Sequence, residues 1–421
     1  MDIAITRSEE REIEKSKGWL LVYGRRKVGK TFLLRKSANW DYYLLALKTG
    51  QMLSEKPGEA AMVQGGEAID EAVRLLKSGK NVIVDEFQRL SEAQWSALAL
   101  AHPNGRLFAS GSSYKMVGEI FERRSPMLGL LAPLRLDIIS YADAASGLAN
   151  AGFDRRKALL WGAFARDPWV LPMLDQSKDL AGEIARILPY LCLAAEGLVG
   201  EVFEEEDKAL TMLYDSVIRL VAEGIWKPAE IAGILSSTGL ISGGLPTIAG
   251  ILDKLAKMGL VEKIPLWNVK GARFYYRINS PVLSIAYYLD QKYRIAESGV
   301  EVQKPVIESL IGKEVERAIS NLLSQYKGLR GAYTIAKDGD IDVVLLDKKA
   351  KNPLAAYEVK IGEISTAEAH KAIERIHSAG IADVGLVSLS KKPGEVKGAN
   401  ELLGPDELFD IINASLHNAR G

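Results

Sequence analysis

The chain has 421 residues, long for one domain, so two or three are expected. Its 54 Lys and Arg balance 54 Asp and Glu, which excludes a global field for nucleic acid and leaves any DNA contact to a local patch. The single cysteine, Cys192, excludes an intramolecular disulfide framework and a cysteine-rich zinc site. The first residues are too charged for a signal peptide and no charge-free apolar run spans a bilayer, so the reading is a cytoplasmic protein without membrane contact.

In chain order, ITRSEEREIEKSKG reads as a short charged helix, and GWLLVY (18–23) as a strand. GRRKVGKT, Gly24 to Thr31, then fits G-x-x-x-x-G-K-[ST] in full, and FLLRKSA continues as a helix. In that context the loop's N–H groups point inward as an anion nest, and the helix N-terminus adds its dipole. The candidate nucleotide-binding residues are therefore Gly24, Arg25, Arg26, Lys27, Val28, Gly29, Lys30, Thr31 and Phe32. Lys30 is expected to reach the β- and γ-phosphates, and the Thr31 hydroxyl to ligate Mg²⁺.

DYYLLAL (41–47) reads as a second strand, and GEAIDEAVRLLKSG has helical spacing. NVIVDEFQRL follows, with a buried strand over Val82–Val84 and Asp85 and Glu86 at its C-terminal end. Asp85 is assigned to the Mg²⁺ shell and Glu86 to orienting and polarising the attacking water. The alternative is an acidic N-cap for the helix after SEAQW. RLFASGSS (106–113) is a further strand, ending in Ser112 and Ser113, either of which suits a γ-phosphate sensor or an ordinary turn. PLRLDII (133–139) completes five strands alternating with helices, which implies a parallel sheet with ligand at its carboxyl edge, within a core of residues 1–140.

Residues 141–203 read as a helical lid interrupted by Asp167-Pro168-Trp169, with Pro168 or Trp169 either set beside the nucleotide base or serving plain helix packing. EVFEEED (201–207) reads as a solvated connection. Residues 204–296 have the order of a winged helix-turn-helix: a helix, PAEIAGIL, the recognition helix Leu245–Met258, then the hairpin LVEKIPLW…ARFYYRI. Its polar residues are sparse, mainly Thr247, Lys254 and Lys257 on the helix and Lys263, Lys270, Arg273 and Arg277 on the wing. Residues 297–421 run helix, three strands, helix, strand, helix. Within them GDIDVVLLD and YEVK have the D…E-x-K spacing of a nuclease core. Asp342 and Glu358 would bridge a divalent metal, Lys360 on the same strand face would help activate water, and Glu314 or Glu316 would add a third carboxylate.

On GRRKVGKT, IVDEFQ, RSEEREIE and the GSS turn, the chain resembles the archaeal P-loop ATPases often called DEXX-box ATPases, related to AAA+ and STAND ATPases. The resemblance runs nearly end to end. It implies an α/β P-loop sheet with a helical lid, a winged helix, and a C-terminal α/β domain similar to restriction-endonuclease-like PD-(D/E)xK proteins. Two departures stand out: Leu130 occupies the place where the family often has an arginine, and Arg166-Asp167-Pro168 keeps only the proline of the lid's usual Gly-Gly-x-Pro. The implied function is binding and hydrolysis of ATP with Mg²⁺, coupled to binding or cleavage of DNA. The alternative is a STAND-like switch whose C-terminal domains bind proteins. A homo-oligomer or a protein partner stays open in either case.

Overall fold

The computed structural model describes residues 3–206, 211–269, 271, 273–335 and 340–418. The N-terminal part runs α1 (Glu10–Lys15), β1 (Trp19–Tyr23), α2 (Lys30–Ser37), β2 (Tyr42–Ala46), β3 (Gln51–Lys56), β4 (Glu59–Gln64), α3 (Gly65–Lys77) and β5 (Asn81–Asp85). It continues through α4 (Glu92–Ala99), β6 (Arg106–Gly111), α5 (Tyr114–Ile120) and β7 (Leu131–Arg135). The strands make one sheet in the order β4-β3-β2-β5-β6-β1-β7. The five strands from β2 to β7 in that order pair in parallel, and all but the half-exposed edge strand β7 are buried on both faces. That burial is why β5 reads as an unbroken apolar run, with Val82, Ile83 and Val84 fully buried.

The sheet is mixed rather than parallel, which corrects the expectation. β3 and β4 form an antiparallel hairpin on the β2 edge. The sequence hides it because β4 (EAAMVQ) is almost wholly exposed and so carries no apolar alternation. At the other end, β7 starts earlier and stops earlier than PLRLDII suggests, and Leu136 leaves the sheet with its N–H donated to Tyr23 O at 2.7 Å. The N-terminal helix is also shorter than expected. Residues 3–7 precede α1, and Ile3, Ala4, Ile5 and Arg7 line the cavity beside the glycine-rich loop.

The middle of the chain is helical: α6 (Tyr141–Asn150), α7 (Arg155–Phe164), α8 (Leu180–Glu206), α9 (Thr211–Ala222), α10 (Pro228–Ser237) and α11 (Leu245–Lys257). The expected solvated connection is instead helical through Glu206, where Val202 and Phe203 are buried and extend the apolar stripe of α8. In α11, buried Ile248, Ile251, Leu252 and Leu255 repeat at helical spacing. The hairpin β8 (Val261–Pro265) and β9 (Phe274–Ile278) follows, completing the three-helix-and-hairpin order of a winged helix.

The C-terminal part is α12 (Pro281–Tyr293), α13 (Ile295–Ser298), α14 (Lys304–Lys327), β10 (Arg330–Ala332), β11 (Val343–Leu346), β12 (Pro353–Lys360), α15 (Thr366–Ser378), β13 (Val384–Ser388), β14 (Glu401–Leu403) and α16 (Pro405–Asn418). Its sheet has the order β10-β11-β12-β13-β14. The three-residue β14 escapes the sequence reading because it is too short for a period. One continuous apolar core joins α6–α8, the winged helix, α12, α14 and α16. Helix α14 lies directly against α6, α7 and α8, and α16 against α6 and α7. Among the described residues no helix is long and apolar enough to cross a membrane.

Candidate functional site

The loop between β1 and α2 is shaped by two glycines. A Cβ on Gly24 would lie 2.0 Å from Leu136 O, so only glycine lets the loop start against the sheet edge. Gly29 has φ +92° and precedes α2 as its N-cap, a left-handed conformation that side chains resist. Lys27 is left-handed as well, at φ +64°. Lys30 Nζ donates to Gly24 O at 2.8 Å and Arg25 O at 2.9 Å, drawing the loop into a closed curl. Thr31 Oγ1 donates to Asp85 Oδ2 at 2.5 Å, so these two residues, 54 apart in sequence, meet as a pair of oxygen donors. Ser110 donates to the other carboxylate oxygen of Asp85, and Tyr43 OH donates to Oδ2 at 3.1 Å. A hydroxyl and a carboxylate side by side suit a hard divalent cation.

Glu86 stands at the end of β5 in a left-handed conformation, φ +57°. It does not cap α4, which is capped by Ser91 in a reciprocal box with Gln94. Its carboxylate lies 3.0 Å from Arg89 and 3.5 Å from Arg26. Gln88 Nε2 donates to Glu86 Oε2 at 2.9 Å and to Ser112 Oγ at 3.1 Å, bridging two residues the sequence treated separately. Ser113 caps α5, accepting from Met116 N–H, which leaves Ser112 as the serine beside Glu86.

A cavity of about 710 Å³ opens here, of a size usual for small-molecule sites. Arg26, Lys27, Gly29, Lys30, Thr31 and Glu86 line its polar end; Ile3, Ile5, Phe32, Trp169 and Pro172 line its apolar end. Pro168 also lines it and touches the Gly29 position, where a Cβ would sit 3.4 Å from the proline ring. Val28 also borders the cavity, and it is buried in the sheet core. Two expected contacts lie elsewhere. The Arg25 side chain turns into the protein, only 1% exposed, and pairs with Asp167. Ser112 faces a small recess beside Gly24 on the side of α11. Arg7 is a residue the sequence reading missed: its guanidinium donates to Val28 O and Asp137 O, both at 2.9 Å, bracing the loop from outside.

A second group of titratable side chains lies in the C-terminal sheet. Asp342 directly precedes β11 and accepts from Val359 N–H at 2.8 Å. On β12, Glu358 and Lys360 share a face and lie 3.1 Å apart. Arg375 on α15 pairs with the other oxygen of Glu358, a partner that no sequence motif marks. Of the two candidate glutamates on α14, the structure separates the roles. Two residues along a helix turn about 200°, so the side chains diverge. Glu314 pairs with Arg277 of β9, and Arg317 stands 3.6 Å away. Glu316 is the glutamate whose charge couples to Asp342 and Glu358. Burial, then those two neighbouring charges, push Glu316 up to about 8. Burial, then the Glu358 charge, push Asp342 up to about 6. Lys360 is held above the usual lysine range by Glu358 although burial opposes it, so it stands as an ammonium. Among the described residues no three acidic or imidazole groups converge as a ready cation cage, since Glu358 is committed to Lys360 and Arg375.

These shifts have a measurable consequence. Between pH 4.5 and about 8 the folded chain keeps a proton on Glu316 that the unfolded chain has released, so stability falls as pH rises through that window. In EDTA, the melting temperature of Glu316→Gln is expected to decline less steeply between pH 6 and 8 than that of wild type. Equal slopes would show that Glu316 is not held protonated.

Lys254, Lys257 and Lys263 of the winged helix are exposed, but each has a partner within the chain. Lys263 pairs with Asp253 at 2.7 Å, Lys254 donates to Tyr214 OH at 3.3 Å, and Lys257 stands over the Tyr114 ring. Tyr275 stacks on Tyr333 with centroids 4.2 Å apart, and Tyr333 exchanges backbone hydrogen bonds with Pro265 and Trp267. The hairpin is thus stitched to the C-terminal sheet, with a cavity of about 590 Å³ left between them, lined in part by Glu316 and Asp342. Arg273 stands over its neighbour Phe274, and Lys270 lies outside the described residues.

No family model and no curated protein matches the chain. Among solved structures it is similar to the ORC2 protein of Aeropyrum pernix in ADPNP–ADP complexes, at TM-score 0.39 and 11% identity over 74% of this chain and 91% of that one. It is also similar to the ORC1 protein of the same organism in complex with DNA, at 0.32 and 14% over 70% and 94%. CDC6p from Pyrobaculum aerophilum gives 0.28 and 11% over 73% and 94%. Scores and identities this low carry no argument about function.

Proposed function

We propose that the chain binds ATP and hydrolyses it with Mg²⁺ in the cavity beside Gly24–Thr31. The observation that carries this reading is the meeting of Thr31 with Asp85 at the open end of a glycine-shaped anion nest, next to Glu86. Mg²⁺, when bound, neutralises charge on the triphosphate, and Thr31 and Asp85 would hold it. Lys30 leaves its carbonyl partners to contact phosphate. Glu86 orients a water, positioned in turn through Gln88 and Ser112. The apolar end, with Phe32 and Trp169, receives the base, and Pro168 brings the lid onto the loop. Titration with ATP and with ADP, followed by phosphate release with and without Mg²⁺, tests this directly; no binding of either nucleotide would overturn it.

Nucleic acid enters the proposal through the C-terminal group rather than the winged helix. Asp342 and Glu358, with Lys360 beside them, would hold a divalent cation and act on a phosphodiester, as nuclease-like folds with this D…E-x-K order do. Metal-dependent cleavage of linear and branched DNA is expected from wild type and is expected to be lost in both Asp342→Ala and Lys360→Ala, with ATP hydrolysis unchanged. Cleavage that persists in both variants would place the chemistry elsewhere.

The pairing of Lys254, Lys263 and Arg277 within the chain favours a second reading, a nucleotide switch whose C-terminal domains hold proteins. DNA affinity separates the two. Phosphate contacts make binding fall steeply with salt, and no binding even at low salt would leave the switch.

A further inference from the structure

Two adjacent residues, Asn279 and Ser280, tie together every part of the molecule. Ser280 caps α12, accepting from Leu283 N–H at 3.0 Å, and its hydroxyl donates to Asp167 of the lid. The other oxygen of Asp167 takes the guanidinium of Arg25, the second residue of the glycine-rich loop. All three side chains are sealed from solvent: Asp167 is 0% exposed, and Ser280 1%. Asn279 Nδ2 donates to Asp137 Oδ1, just past β7 at the carboxyl edge of the large sheet, at 2.8 Å. In the other direction, Arg317 of α14 donates to Asn279 O at 2.6 Å and to Asn279 Oδ1 at 2.8 Å. Arg317 also pairs with Glu262 of β8 at 2.6 Å.

We infer that Asn279–Ser280 is the joint through which the state of the phosphate loop is passed to the winged helix and the C-terminal domain, with Asp167 as its positioning residue. The inference rests on the ATP reading above. Lys30 bonds to the carbonyl of Arg25, so a phosphate that draws Lys30 away releases the backbone at the residue whose side chain holds Asp167. Asp167 cannot follow part-way. Both of its oxygens are engaged in a dry interior, where a buried charge that loses its partner is strongly disfavoured. A shift at Arg25 is therefore resolved by moving the lid turn and α12 together or by breaking the pair. Because α12 packs on α8, α9 and α14, its displacement reaches Arg317 and the hairpin it holds. Spatial connection by itself does not demonstrate coupling, so the test perturbs the joint without touching the nucleotide cavity.

The full-length chain is titrated with the β,γ-imido analogue of ATP and Mg²⁺, and amide hydrogen exchange is followed over α12 and α14. Wild type is expected to bind the analogue and to change exchange in both helices. Ser280→Gly keeps a residue tolerated at an N-cap but removes the hydroxyl. It is expected to bind the analogue within about threefold of wild type, because the lost hydroxyl lies outside the nucleotide cavity, while losing most of the exchange response. Ser280→Thr, which restores the hydroxyl, is expected to restore the response. A second variant, Asp167→Asn, is expected to weaken analogue binding by tenfold or more and to lose the response as well. An undiminished response in Ser280→Gly, or wild type that binds the analogue with no change in α12, overturns the joint and leaves the nucleotide site standing. Wild type that fails to bind overturns both.

Discussion

Lys30→Ala is expected to lower the affinity for ATP by roughly 10- to 150-fold, the equivalent of one charged hydrogen bond of about 1.5–3 kcal/mol. Lys30 is 7% exposed, and its ammonium holds the carbonyls of Gly24 and Arg25 from inside the loop. Alanine removes the cation that phosphate would meet, and with it the two bonds that keep the loop curled. Both losses weaken binding: the first subtracts an attraction, and the second lets the empty loop sample conformations that must be ordered again when phosphate arrives. Calorimetric titration of both proteins with ATP measures the ratio. A variant that binds as wild type does would remove Gly24–Thr31 as the phosphate site.

Glu86→Gln is expected to leave ATP binding within a few-fold of wild type and to cut hydrolysis by about 10²–10⁴, the range in which a positioned acid–base group contributes. The substitution is nearly isosteric, and glutamine meets the same left-handed backbone, φ +57°, with the same strain. What is lost is charge. Wild-type Glu86 lies beside Arg26 and Arg89, so its carboxylate is held at the mouth of the cavity by two guanidinium groups. The amide keeps the hydrogen-bonding shape but neither polarises water nor holds those cations. Single-turnover phosphate release, compared with binding in the same preparation, separates the two effects. Normal turnover in the variant would move the water-orienting role to another residue.

The loop and the β5 end were legible because their chemistry is local. Glycine, lysine and threonine at fixed spacing dictate one turn between one strand and one helix, and a run of buried β-branched residues ending in Asp-Glu marks a central parallel strand. The winged helix was legible in the same way, from the period of Ile248, Ile251, Leu252 and Leu255. The exposed hairpin β3–β4 was not, since its second strand has no apolar face to alternate. Glu314 and Glu316 could not be told apart by spacing either. Their partners lie on β9 and before β11, and only the direction each takes from α14 assigns one to Arg277 and the other to the Asp342 neighbourhood.

By itself, the sequence determined most of the elements and the residue types able to do chemistry: the glycine-rich loop before α2, the Asp85–Glu86 strand end and the D…E-x-K order. Periodicity and motif spacing act over a few residues, and the backbone follows them locally. The tertiary structure decided which charges are spent. It turned Arg25 away from the nucleotide cavity onto Asp167, fastened Lys263 and Arg277 within the molecule, and brought Arg7 and Gln88 to the loop and to Glu86. Those choices depend on pairs more than a hundred residues apart in some cases, such as Arg25 with Asp167, meeting in a dry core. There an ionised group must find a partner, and nothing in the nearby sequence names it.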